Sequence, residues 1–244
     1  MQWNPKKTFS MAELKRIYTK ALDSNFEFIN CADIYTKNNG YYIALRHDID
    51  LSLIAAIEVA KLENELGIQA TYCFMVQSNF YNLFSSEGRK ALQIISSYGH
   101  NLALHHHTMS ARNLQIDLKK VEKNVIIDFD VIDKYYPGKF EKIVSFHNPP
   151  KNLIGAEFDS FLSTYSPHFL KNNIKYLSDS NRYWREGDVI EWIQKAPDIH
   201  KYHILIHPEL WFYKDGEMKD AMNDLVEHQI SYTWGLLKQD DLNL

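Results

Sequence analysis

Tyr41-Tyr42-Ile43-Ala44-Leu45-Arg46-His47-Asp48-Ile49-Asp50 is the stretch that decides the fold. Its first half is the short apolar run a buried strand needs; its second half sets two carboxylates, a guanidinium and an imidazole where that strand stops and a helix-like segment begins. Desolvating a carboxylate is costly unless a metal, a partner or a reacting group compensates. Three more strand-like runs reach histidine downstream: Leu104-His105-His106-His107, Ser145-Phe146-His147-Asn148-Pro149-Pro150 and Leu205-Ile206-His207-Pro208. Four such endings together point to a metal-dependent hydrolytic site.

Working outward, Ser10-Met11-Ala12-Glu13 reads as a capping box opening a helix to about Leu22. Leu53, Ile57 and Ala60 recur at helical spacing, and that helix ends near Leu66-Gly67. Thr71–Val76 is β-prone, and residues 87–98 read as a helix before Gly99. A strand is expected over His100–His105, a long helix from about Asn113 to Lys134, and short strands at Ile143–Phe146, Ile174–Leu177 and Tyr202–Ile206. A late helix covers Met218–Glu227. Strands alternating with helices imply βαβ units and a mainly parallel sheet, so the class is α/β. No repeat or linker divides the chain, and a single domain over residues 1–244 is expected, with residues 1–38 as a helical extension packed outside the main body. The reactive residues sit at the C-terminal strand ends, the edge where α/β sheets and barrels bind ligands.

The composition narrows the function classes. A net charge of −4 provides no basic field for nucleic acid. No apolar window is long enough to span a bilayer, and Met1–Lys7 leads into no apolar leader, from which a cytoplasmic protein is expected. Cys31 and Cys73 match no metal spacing or disulfide framework and read as reduced thiols.

Asp48 and Asp50 are two apart and project to one side of an extended segment. A metal hydrolase needs one carboxylate as ligand and another as general base, although Asp-x-Asp after a strand serves equally as a helix N-cap with a dipole partner. His105 and His107 share a strand face, while His106 points the other way. His100, beside Gly99, reads as a structural hydrogen-bonding group. Pro208 holds His207 extended, which suits a general acid whose ordinary pKa is about 6.5. His147 precedes the rigid Asn148-Pro149-Pro150, and a buried imidazole satisfied by backbone is an equal reading of it.

These residues resemble the polysaccharide deacetylases of the NodB type, carbohydrate esterase family 4, from about Tyr42 to Trp211. The family's first motif, a base Asp followed by a ligand Asp, is similar to Asp48 and Asp50. Its second, Gly-His-Glu-Ile-Gly-x-His-Thr-x-x-His, resembles Gly99-His100-Asn101-Leu102-Ala103-Leu104-His105. The fourth is similar to Tyr176–Arg185, and the fifth, Leu-x-His, to Leu205-Ile206-His207. Ile206-His207-Pro208-Glu209-Leu210-Trp211 is closest to a divergent subgroup associated with surface-polysaccharide or O-antigen biosynthesis. The resemblance implies a distorted (β/α) barrel and hydrolysis of an N-acyl group on an amino sugar. It implies Asp48 as base, His207 as acid, and a divalent ion, zinc being expected, on Asp50, His105 and His107. His147, Asp179, Arg185, Trp184 and Trp211 are the implied supporting or substrate-binding residues, and Tyr72, Phe80 and Tyr81 further candidates for stacking on a sugar.

Two departures leave alternatives open. Met109 stands where the family has its second metal histidine, so His107 supplies the nitrogen, the site is rearranged, or metal binding is weakened, and His147 is a further residue that could join the ligands. The third motif's arginine is replaced by Ser145–Pro150, leaving Arg46, Arg182 or Arg185 to orient the base. A catalytically silent carbohydrate-binding protein and a hydrolase of another C–N or ester bond are the rival readings.

Overall fold

Helix α1 (Met11–Asp23) starts where Ser10 Oγ accepts the Glu13 N–H at 3.3 Å, while the Glu13 carboxylate turns to Arg16. The structure, a computed structural model, describes residues 8–37, 39–170, 173–195 and 198–239. Residues 1–7, where the absence of a leader was read, lie outside that range. The chain continues through β1 (Glu27–Ile29), β2 (Tyr42–Ile49), α2 (Leu53–Glu65), β3 (Thr71–Phe74), α3 (Ser86–Ser97), β4 (Asn101–His107) and α4 (Leu118–Tyr135). It then forms β5 (Phe140–His147), β6 (Leu162–Ser163), α5 (Pro167–Leu170), β7 (Lys175–Ser178), α6 (Val189–Ile193), β8 (Lys201–Ile206), α7 (Glu209–Phe212) and α8 (Met218–Gln239). The expected N-terminal extension is thus not wholly helical: β1 joins the sheet beside residues 42–44 of β2. Helix α4 begins later than expected, at the cap provided by Asp117, and α8 runs well past Glu227.

All strand pairings are parallel, in the order β6-β5-β4-β3-β2-β8-β7. Strand β2 is buried along its whole length, as expected of a central parallel strand. Its alternate residues divide the protein's interior. Ile43, Leu45 and Ile49 join the main core under the helices, with Tyr72, Phe74, Leu104, Phe146 and Ile206. Tyr42 and Ala44 face a smaller cluster with Cys73, Ala103, Ile143 and Phe169. Arg46 and Asp48 continue that second face.

The sheet is strongly curled. In a flat sheet β2 and β5, three strands apart, would be separated by about 14 Å. Yet Ser145 Oγ on β5 donates to Asp48 Oδ2 on β2 at 2.8 Å. Arg46 likewise reaches Thr164 Oγ1, just beyond β6, at 2.5 Å. The polar residues of β2, β4, β5 and β8 therefore turn inward to a common centre. Among the described residues no pairing joins β6 to β7, so the expected distorted (β/α) barrel is a curled, open one. Cys31 and Cys73 are buried free thiols, and no helix among the described residues is long and apolar enough to cross a membrane.

Candidate active site

The inward face of the curled sheet, at its C-terminal edge, opens into a cleft of about 810 Å³ lined by Asp48, Asp50, His105, His107, His147 and His207, among others. Asp50 lies just past the end of β2. The N-cap of α2 is Ser52, whose Oγ accepts the Ala55 N–H at 3.1 Å, so Asp50 is not used as the cap. Its Oδ1 instead sits 2.9 Å from His105 Nε2 and 3.0 Å from His147 Nδ1, and those two nitrogens are 3.3 Å apart. Asp50, His105 and His147 form the group whose potential ligand atoms all lie within 4.8 Å of one another. A tetrahedral ion with ligands near 2.0–2.1 Å has edges of roughly 3.3 Å, close to these separations, so this two-nitrogen, one-oxygen donor set suits a divalent metal ion.

His107, the expected third donor, is not in that group. It pairs in register with His147 across β4 and β5, and the two rings meet edge to face at 4.9 Å. Both point into the curl, but the ring of the neighbouring strand reaches Asp50. His147 Nε2 lies 2.8 Å from the Asn148 side-chain amide, and Asn148 adopts a left-handed φ of 46° that asparagine tolerates. His105 Nδ1 bonds the Ser145 carbonyl oxygen at 3.1 Å, which aims its Nε2 at Asp50. Met109 is 64% exposed and does not line the cleft.

Asp48 is clamped from two sides. Ser145 donates to Oδ2, and Arg46 ion-pairs with the carboxylate through Nε at 3.2 Å and Nη2 at 3.3 Å. Burial pushes this carboxyl upward, but Arg46, then His105 and His207, more than offset it, and its pKa lies below the ordinary value. Of the arginines considered for orienting the base, Arg46 is the one present. Arg182 instead donates to the carbonyls of Phe9, Lys214 and Glu217, and Arg185 is exposed on the cleft wall. Arg46 is itself braced by Thr164, Tyr165 and His203. Burial and the Arg46 cation hold His203 well below its ordinary pKa, so its neutral Nε2 can accept from the guanidinium at 3.5 Å.

Asp179 shapes His207. Its Oδ1 lies 2.6 Å from His207 Nδ1, while Oδ2 accepts the His207 backbone N–H at 2.9 Å and Trp211 Nε1–H at 2.7 Å. Burial works against the charged imidazole, yet Asp179, aided by Asp50 and Asp48, pushes its pKa up to about 10. His207 is therefore an imidazolium at neutral pH, and its Nε2 sits 4.0 Å from Asp50 Oδ2.

Several expected surface contacts turn out to be interior ones. Trp211 and Trp184 are buried in the core against Phe9 and each other, because their ring area is worth more there than on a wet wall. Trp211 reaches the site only through Asp179. Tyr72 is buried on the helix side, and the Tyr81 hydroxyl is used by the Ile49 carbonyl and the Met75 N–H. Phe80, 55% exposed, is the stacking candidate left at the cleft. His106 bonds Asp128 of α4 at 2.7 Å and His100 accepts the Ala70 N–H, both away from the site.

Sequence reasoning missed Ser145, Thr164 and Glu209. Glu209 lines the cleft at the start of α7, only 2% exposed, and burial followed by Asp50 pushes its pKa up to about 8. An acid directly after the His207-Pro208 strand exit was the available signal.

No protein-family model matches the sequence, and no curated protein matches it. Among solved structures, the chain is similar to the Xyl-CE4 domain of a multidomain xylanase from the hindgut metagenome of Trinervitermes trinervoides, at 15% identity and TM-score 0.47 over 84% of this chain and 93% of that one. It is also similar to a Streptococcus mutans CE4 esterase, at 11% identity and TM-score 0.48 over 75% and 80% of the two chains. A third is the Bacillus subtilis peptidoglycan deacetylase PdaC, at 13% identity and TM-score 0.46 over 84% and 98%.

Proposed function

We propose that this chain is a metal-dependent hydrolase that removes an N-acyl group from an amino sugar. The observation that carries the reading is the convergence of Asp50, His105 and His147, beside a clamped, ionised Asp48 and a charged His207. Asp50, His105 and His147 would hold the ion, zinc by its donor set. When bound, a divalent ion supplies Lewis acidity, polarising an acyl carbonyl and easing the deprotonation of water. Asp48, kept ionised by Arg46 and fixed by Ser145, takes up that proton. His207, kept protonated and aimed by Asp179, delivers its proton to the departing amine. The cleft is large enough for a saccharide, with Phe80 at hand to stack on a sugar face.

The same proposal covers the finer assignments: one catalytic domain over residues 1–244, acting in the cytoplasm in surface-polysaccharide biosynthesis of the O-antigen kind. The silent-binder reading rested on Met109 and the missing third-motif arginine. Met109 lies outside the cleft and Arg46 pairs with the base Asp48, which favours the enzyme. Zinc content after purification without added metal, paired with turnover of N-acetylated against O-acetylated saccharides, tests the reading. Failure of zinc to bind, with no metal-restored turnover, would refute it.

A further inference from the structure

Glu209 has no role in the proton transfers above, yet it is one of the most costly residues in the cleft. It lines the cleft with its side chain buried, and Oε2 has no hydrogen-bond partner in the protein. The nearby hydroxyls are committed elsewhere: Tyr81 donates to the Ile49 carbonyl at 2.8 Å, and Tyr213 is paired with Ser52 Oγ at 2.8 Å. The like charge that acts on it most strongly, Asp50, opposes its ionisation, and His207 directs its Nδ1 to Asp179 instead. A buried polar group left without a partner is destabilising. A chain that needed only packing here would do better with leucine or methionine, as in the neighbouring cleft residues Leu210, Met218 and Met222.

We propose that Glu209 is a saccharide-binding residue, whose free oxygen makes a hydrogen bond to a hydroxyl or amide group of the bound sugar. The substrate class rests on the deacetylase reading; the binding role rests on the unpartnered oxygen of a residue that lines the cleft. Glu209 thereby separates ligands with a polar group at that depth from ligands of the same size without one, since only the former satisfy the buried oxygen.

The test uses Glu209→Gln and Glu209→Leu with three readouts: zinc affinity, thermal midpoint without ligand, and binding of chitotriose followed by ligand-observed NMR together with its kcat and KM for deacetylation. A ligand-binding role predicts that Glu209→Leu keeps zinc affinity and raises the thermal midpoint, because an unsatisfied buried group has been removed. It also predicts chitotriose binding weaker by roughly ten- to a hundredfold, with partial recovery in Glu209→Gln, which restores hydrogen-bonding atoms. A lower midpoint in both variants would assign Glu209 to the structure and overturn the inference, as would unchanged binding in Glu209→Leu. If wild type binds chitotriose and the variants lose it while no deacetylation occurs, the enzyme reading fails and the binding inference stands. If wild type does not bind chitotriose, the saccharide assignment of Glu209 is overturned.

Discussion

Replacing Asp179 by asparagine isolates the electrostatics of the proton donor. The asparagine keeps the volume of a fully buried side chain and can still meet the His207 and Trp211 N–H groups, but it lacks the charge 2.6 Å from His207 Nδ1. His207 stands at about 10 because Asp179 outweighs burial. Without that charge, burial is opposed only by the weaker pull of Asp50 and Asp48, and the imidazole falls to its ordinary value of about 6.5 or below. At pH 7.5 the protonated fraction drops from nearly all to about one tenth, so a reaction that needs His207 as acid slows about tenfold or more. The assay is the pH dependence of kcat, paired with NMR titration of the His207 ring. The alkaline limb should move from near pH 10 to near pH 6.5, with much of the lost rate returning as the variant is taken below pH 6.5. Stability should follow the same linkage. A raised folded pKa contributes stability that is fully present below the unfolded value of about 6.5 and is lost as pH rises through about 10, so the gap between wild type and variant should narrow across that window. An alkaline limb and a ring titration unmoved in Asp179→Asn would refute the reasoning.

Other expectations follow from the same geometry. By calorimetric zinc titration, His147→Ala and His105→Ala should each weaken binding by at least about tenfold, whereas His107→Ala should leave it nearly unchanged; the reverse order would return His107 to the ligand set. Asp50→Asn should lose zinc and turnover together, while Asp48→Asn should keep zinc and lose turnover. Glu63, in the last turn of α2, is buried and accepts from Tyr18 and Tyr72 and pairs with His47, all at 2.7 Å. Glu63→Ala should cost roughly 3–5 kcal/mol in urea unfolding, because it strands the buried partners. Burial works against the Glu63 carboxylate, but His47 and the other partners hold its pKa below the ordinary value, so its contribution is present above the unfolded carboxyl's pKa and disappears as pH falls through the folded one. Phe80→Ala should raise KM for saccharides while shifting stability by no more than about 0.5 kcal/mol, since the ring is exposed.

Much of the architecture was legible because its causes are local. Ser10 and Ser52 cap helices through their own hydroxyls, Gly67 takes a positive φ after α2, and the apolar runs 42–45 and 204–206 lie in buried strands. Period-two alternation correctly separated His105 and His107 from His106, and put Asp48 at the mouth of the sheet. The span of α4 was harder to read, since Asn113–Ile116 carries helix-compatible residues while the cap lies at Asp117.

What the sequence by itself determined is therefore the alternation of strands and helices, the face each strand residue takes, and the crowding of carboxylates and imidazoles at the C-terminal edge. Which of those groups meet was decided by the curl of the sheet. Curling brings Ser145 to Asp48 from three strands away, carries Arg46 to Thr164, and lets His147 rather than His107 reach Asp50. It also leaves Glu209 facing the cleft without a partner while burying Trp184 and Trp211 behind it. Sequence spacing sets which side of a strand a residue occupies, but distances across the sheet depend on twist, register and the packing of every helix outside it, and those are properties of the whole chain.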